Sequence, residues 1–139
     1  MKRNLIRHEH AKFLLVPLLF LISALSAADC DKAMTTVEMN ECASAEQKRV
    51  EKKLNDSYKS VLKYFREEPG LGTQEDRALF EKRLVEAQRF WVKFREADCD
   101  LAYQLNASGT LRSSFYISCM QMNAERRIED FKAFMNSGG

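Results

Sequence analysis

Four cysteines, Cys30, Cys42, Cys99 and Cys119, restrict what this chain of 139 residues can fold into more than any other feature. The apolar residues around them recur at helical spacing, so any packing of helices must also bring thiols together, with Cα atoms about 5.5–6 Å apart. An even count, all beyond residue 28, reads as two disulfides formed in an oxidising compartment. A metal held by thiolates wants close pairs such as C-x-x-C, whereas the separations here are 12, 57 and 20 residues. The sequence holds neither a C-x-x-C redox pair nor a haem-attachment motif. No metal and no cofactor is expected, and the cysteines read as structural.

Residues 1–28 read as a secretory signal peptide. Lys2, Arg3, Arg7 and Lys12 form a basic start, 13–25 is a largely apolar run, and Ser26 and Ala28 are small where cleavage requires it. The run is too short to cross a bilayer, which takes about 20 residues. Asp29 stands before Cys30, where a lipoprotein cleavage site needs a small residue, so no stable membrane anchor is expected. The exported part is then 29–139, in the periplasm or outside the cell. Losing the leader lowers Lys+Arg from 22 to 18 and Asp+Glu from 20 to 19, a net charge of −1, and removes both histidines, His8 and His10. A chain without histidine cannot run Ser-His or Cys-His chemistry or build a His-containing zinc or haem site. Near-neutral charge together with export argues against nucleic acid as a partner.

At 45% hydrophobic and 30% charged residues the composition is that of a globular protein. Three segments show helical periodicity. The first is expected over 36–66, opened by a capping box in which Thr35 is followed three residues later by Glu38. Val50, Leu54, Tyr58, Val61 and Phe65 draw its apolar stripe, and Pro69-Gly70 ends it. The second starts near Thr73, with Asp76 three residues on, and carries Phe80, Leu84, Ala87, Trp91 and Phe94, continuing to Leu101 in a near-heptad seam. After a break at 105–109 the third is expected over 114–135, with Ile117, Met120, Ala124, Ile128, Phe131 and Met135 as its stripe. The Ser137-Gly138-Gly139 tail is expected to be disordered.

The first two helices, joined by a tight turn, should form an antiparallel hairpin of about 45 Å. Cys42 lies 28 residues before Gly70 and Cys99 lies 29 after it, so they stand level, as do Cys99 and Cys119 about the second turn. Height permits Cys42–Cys99 with Cys30–Cys119, or Cys30–Cys42 with Cys99–Cys119. The sequence-local pairs are favoured because they close short loops, each contributing about 3 kcal/mol. Either way the cysteines gather at the end opposite Pro69. The fold expected is all-α, a disulfide-stapled three-helix bundle built on a long antiparallel helical hairpin, forming one domain over 29–139. The third helix, at roughly 30 Å, should stop short of the hairpin tip. Val61, Leu62, Phe65, Leu79 and Phe80 are therefore expected to form a partly exposed patch for a homodimer or partner contact.

Carboxylates are abundant, but a glycosidase pair needs two of them across a cleft, one in an apolar pocket that raises its pKa. A slim bundle offers no such cleft, so no catalytic residue is assigned and the chain is read as a non-enzyme acting by binding. The cysteine pole is acidic: Asp29, Asp31, Glu38, Glu41 and Glu46 lie near the start of the first helix, and Glu96, Asp98 and Asp100 near the end of the second. A helix dipole favours acids at a start and disfavours them at an end, so the last three suggest a negative pole for a basic partner. Asn55 falls within a turn of Gln88, and a buried Asn–Gln hydrogen bond is expected to fix hairpin register. Arg95, one turn beyond Trp91, can lay its guanidinium on the indole. The loop 106–112, with Ser108, Thr110 and Arg112, is the one segment suited to entering a cleft.

Cys30 with Thr36-x-x-Met39-Asn40-x-Cys42, then Leu54-Asn55-x-x-Tyr58, then Ala87-Gln88-x-x-Trp91-x-x-Phe94-Arg95-x-x-x-Cys99, with Cys119 late in the chain, resembles the LprI-type lysozyme inhibitor domain. The resemblance spans about Cys30 to Phe131, with Asn55, Tyr58, Gln88, Trp91 and Arg95 as its motif residues. It implies a small disulfide-bonded helical domain of secreted bacterial proteins, and a protein partner, lysozyme or another cell-wall hydrolase. Glu38, Glu41, Asp98, Asp100, Ser108, Thr110 and Arg112 are the residues expected to meet it. The alternative is an accessory or structural envelope protein working through protein–protein association.

Overall fold

The computed structural model describes residues 30–137. The expected leader with its cleavage site, Asp29 and Gly138-Gly139 lie outside them. Among the described residues all regular structure is helical: a single 3-10 turn at Cys30–Lys32, α1 at Thr36–Glu67, a second 3-10 turn at Pro69–Leu71, α2 at Gln74–Leu105 and α3 at Arg112–Ser137. The third helix is longer than its periodicity suggests, running two residues further at each end and including Ser137.

Both long helices begin as the capping boxes require. Thr35 Oγ1 accepts from the Glu38 N–H while the Glu38 carboxylate accepts from the Thr35 N–H, and Thr73 and Asp76 repeat the exchange at the start of α2. Between them Pro69 opens the 3-10 turn, and Gly72 takes a φ of +99° that any side chain would strain. Arg66 of α1 forks onto Glu81 of α2 and ties the hairpin just above this turn.

The helices run up, down and up, so α3 lies parallel to α1. Ser114 meets Asn40 near one end, and the Tyr58 and Phe131 rings stand 5.8 Å apart towards the other. Val50, Leu54 and Val61 from α1, Leu84 from α2, and Ala124 and Phe131 from α3 form the main core, with Tyr58, Leu62, Phe65, Trp91, Ile128 and Met135 packed against it. Cys99, Cys119 and Met120 form a second cluster at the other end. The disulfides are Cys30–Cys42 and Cys99–Cys119, the sequence-local pairs.

Two expectations about packing change. The stripe on α2 is rotated: its inner face is Leu84, Gln88, Trp91, Arg95, Cys99 and Ala102, while Phe80, Phe94 and Leu101 are exposed. The reason is the Cys99–Cys119 bond, which turns Cys99 fully inward; at 100° per residue, positions four and seven or eight before it follow. The hairpin tip is also better covered than expected. Val61 is fully buried, and Leu62 and Phe65 pack on the core with Met135, because the longer α3 reaches them. Of the five residues expected to form a patch there, only Leu79 and Phe80 are exposed. Among the described residues no helix is long and apolar enough to cross a membrane.

Candidate functional site at the cysteine pole

The cysteine pole is where the start of α1, the end of α2 and the start of α3 meet, each held by a disulfide. Cys30–Cys42 folds the opening 3-10 turn back on α1. Cys99–Cys119 clasps α2 to α3 on either side of the connecting loop. Asn123 reinforces the clasp from the next turn of α3: its buried amide donates to the Cys119 carbonyl at 3.1 Å and lies 3.5–3.6 Å from both disulfide sulfurs.

The loop between these helices is short, exposed and internally tied. Asn106 Nδ2 donates to the Ala102 carbonyl at 2.8 Å, the Gly109 N–H to the Asn106 carbonyl at 2.9 Å, and Arg112 Nη1 to the Ala107 carbonyl at 3.1 Å. The Arg112 guanidinium also lies 5.6 Å from the Tyr103 ring centre. Arg112, expected among the residues that meet a partner, therefore serves as the loop's own brace. Ser108 and Thr110 are exposed between Leu105 and Leu111, which are themselves exposed. The result is a stiff knuckle with two hydroxyls at its crest and an aliphatic side chain on each flank.

The four acids assigned to the pole share an end of the bundle but not a face. Glu38 is committed to the cap: its Oε2 accepts from the N–H groups of Thr35 and Met34, and these bonds hold its pKa below the ordinary range. Glu41, nine residues before the core residue Val50, lies on the opposite side of α1. Asp98 and Asp100 are exposed, and two residues apart they project from nearly opposite sides of α2. Asp98 stays close to the clasp, with Oδ2 3.5 Å from Asn123 Nδ2. Glu46, Asp56, Asp76 and Glu81 are likewise held below their usual pKa by hydrogen-bond donors, Arg49, Lys52, Thr73 and Arg66 respectively. A general acid needs a shift the other way.

The family-motif residues form part of a buried polar girdle at mid-bundle. Arg95, 7% exposed, pairs with Glu51 at 2.6 Å and lies 4.7 Å from the Trp91 ring centre, the stacking expected from their spacing. Gln88 accepts from Arg127 Nε at 3.0 Å, and Arg127 also reaches Asp130 and lies over Phe131. Tyr58 packs on Phe131 close by. Asn55 is the exception. It is exposed on the outer side of α1, and Gln88 takes its bond from α3, so no Asn55–Gln88 bond fixes the register. One residue beyond the buried Leu54 is a 100° turn, enough to carry Asn55 out of the interface. Sequence reading missed Glu51, Asn123 and Arg127. The sign of the last two was present: they interrupt the run Met120, Ala124, Phe131 at core spacing.

The profile of the family described as Lysozyme inhibitor LprI matches residues 27–131. Among curated proteins the chain is similar to the uncharacterized protein R02472 of Rhizobium meliloti (strain 1021), 26% identical over 78% of this chain and 80% of that one. It is also similar to the uncharacterized protein YecT of Escherichia coli (strain K12), 25% identical over 69% of this chain and 62% of that one. No solved structure matches.

Proposed function

The chain belongs to the LprI lysozyme inhibitor family, and from that premise we propose that it is an exported inhibitor of a lysozyme or related cell-wall hydrolase, acting by binding through the knuckle at its cysteine pole. The observation that carries this reading is the loop itself. It is exposed, braced by three internal hydrogen bonds and clasped at its base by a disulfide. A segment ordered before it meets a partner loses little freedom on docking, which is how a small insertion reaches useful affinity.

Ser108 and Thr110 offer uncharged hydrogen-bonding groups to cleft carboxylates, while Leu111 supplies apolar contact beside them. Glu41 and Asp98, on different faces of the same pole, add negative charge that attracts a basic hydrolase, more strongly at low salt. Glu38 is not among them, since the cap holds it.

Ser108→Glu with Thr110→Glu would set new carboxylates against those of the cleft. Inhibition of cell-wall turnover should weaken by about tenfold or more, with helix content unchanged by circular dichroism. Unaltered inhibition would remove the knuckle from the contact.

A further inference from the structure

A row of exposed apolar side chains runs down the outside of α2, away from the core face of that helix: Ala87, Phe90, Phe94, Ala97, Leu101 and Leu105. Phe90 is 71% exposed, Phe94 59%, Leu101 57% and Leu105 76%. Their steps of three and four residues are those of a coiled-coil seam, yet neither α1 nor α3 covers them. They continue into a hollow of about 240 Å³ lined by Phe65, Phe80, Arg83, Leu84, Ala87 and Phe134. We propose that this face is covered by the α2 of a second copy of the chain, packed antiparallel across a two-fold axis between Phe94 and Ala97.

The charges on α2 select this occupant and direction. Arg95 apart, which pairs internally with Glu51, the paired stretch before the axis, 87–95, carries Arg89 and Lys93 and no acid, and the stretch after it carries Glu96, Asp98 and Asp100. An antiparallel copy sets each basic half beside an acidic one; a parallel copy sets like against like.

Side-chain sizes agree with the same axis. Phe94 meets Ala97 of the second copy, Phe90 meets Leu101, and Leu105 reaches Ala87 at the edge of the apolar hollow. Lys93 then lies across from Asp100 on the solvent flank, and symmetry makes each contact twice. The two phenylalanines and two leucines expose on the order of 500 Å² per copy, so the pair would bury roughly 1,000 Å² of apolar surface, about what a specific interface requires. An anionic lipid surface would suit Lys82, Arg83, Arg89 and Lys93 but would meet Glu96 and Asp100 beside Leu101. The crest of the knuckle, Ser108 and Thr110, lies beyond the paired apolar stretch of each copy.

Sedimentation equilibrium of the oxidised protein tests this, with assembly as the readout, independently of any effect on lysozyme. We expect a dimer; Lys93→Glu or Asp100→Lys alone should weaken it by about tenfold or more, and the two together should restore it. Phe94→Asp should give a helical monomer. A wild-type protein that stays monomeric, or a dimer indifferent to both charge reversals, would overturn the proposal. So would a monomer that co-sediments with phosphatidylglycerol vesicles through Phe90 and Phe94.

Discussion

Arg95 shows how a charged residue is kept inside a bundle this slender. Its guanidinium has Glu51 on one side and the Trp91 ring on another, and its Nε is buried without a hydrogen-bond partner. Truncating Glu51 leaves that cation buried with only an aromatic face for company, whereas replacing Arg95 by an apolar residue of similar length frees a carboxylate that is 30% exposed and can be hydrated. Glu51→Ala should therefore cost roughly 2 kcal/mol and Arg95→Met distinctly less; urea unfolding that gives the opposite order would contradict this account of the girdle. At the capping boxes, Glu38 and Asp76 are held below their ordinary values of 4.5 and 3.8, chiefly by backbone N–H donors of Thr35 and Thr73. Their stabilising effect is complete above those values and is lost as pH falls through the depressed folded pKa. Thermal stability should be flat from about pH 7 to 5 and fall below about 4. Glu38→Gln with Asp76→Asn should soften that fall, and an equally steep fall in the double variant would count against the caps. These caps were legible in the sequence because hydroxyl and carboxylate three residues apart meet by helix geometry alone. The Asn55–Gln88 pairing was misread because the spacing of two helices along their axes says nothing of their rotation about them.

Helix rotation is set at the next scale, by the disulfides. The apolar stripes of α1 and α3 could be read directly, because each has one apolar face and buries it: Val50, Leu54 and Val61, or Met120, Ala124 and Phe131. α2 has two. One carries Leu84, Trp91 and Cys99 and the other Phe90, Phe94 and Leu101, and periodicity alone runs them together into one seam. The covalent bond from Cys99 to Cys119 decides which face turns in. It follows that the two bridges are unequal. Cys99 is fully buried and Cys119 nearly so, in contact with Met120 and beside the knuckle, whereas Cys30 is exposed at the chain's described start. Losing Cys99–Cys119 through paired serine substitutions should cost about 3 kcal/mol or more, and losing Cys30–Cys42 should cost less. Equal losses on urea unfolding would mean that the clasp does not set the packing of α2.

For the whole molecule, the up-down-up bundle gathers the disulfides and the knuckle at one end and leaves an apolar face along one side. The fold class, the disulfide pairs and the family were all within reach of the sequence, since helical period, turn residues and cysteine spacing agree. The site was less so. Sequence distance placed Glu38, Glu41, Asp98 and Asp100 at one pole, but which direction each faces depends on packing, and Glu38 belongs to a cap. Inhibition of a cell-wall hydrolase through that pole can be read from turnover of purified cell wall by lysozymes of several classes, at low and moderate salt, with oxidised and with reduced protein. Oxidised protein should inhibit at least one class, more strongly at low salt, and reduction should abolish the effect. If an about tenfold molar excess of oxidised protein slows none of them, the inhibitor reading is wrong and an accessory envelope role takes its place.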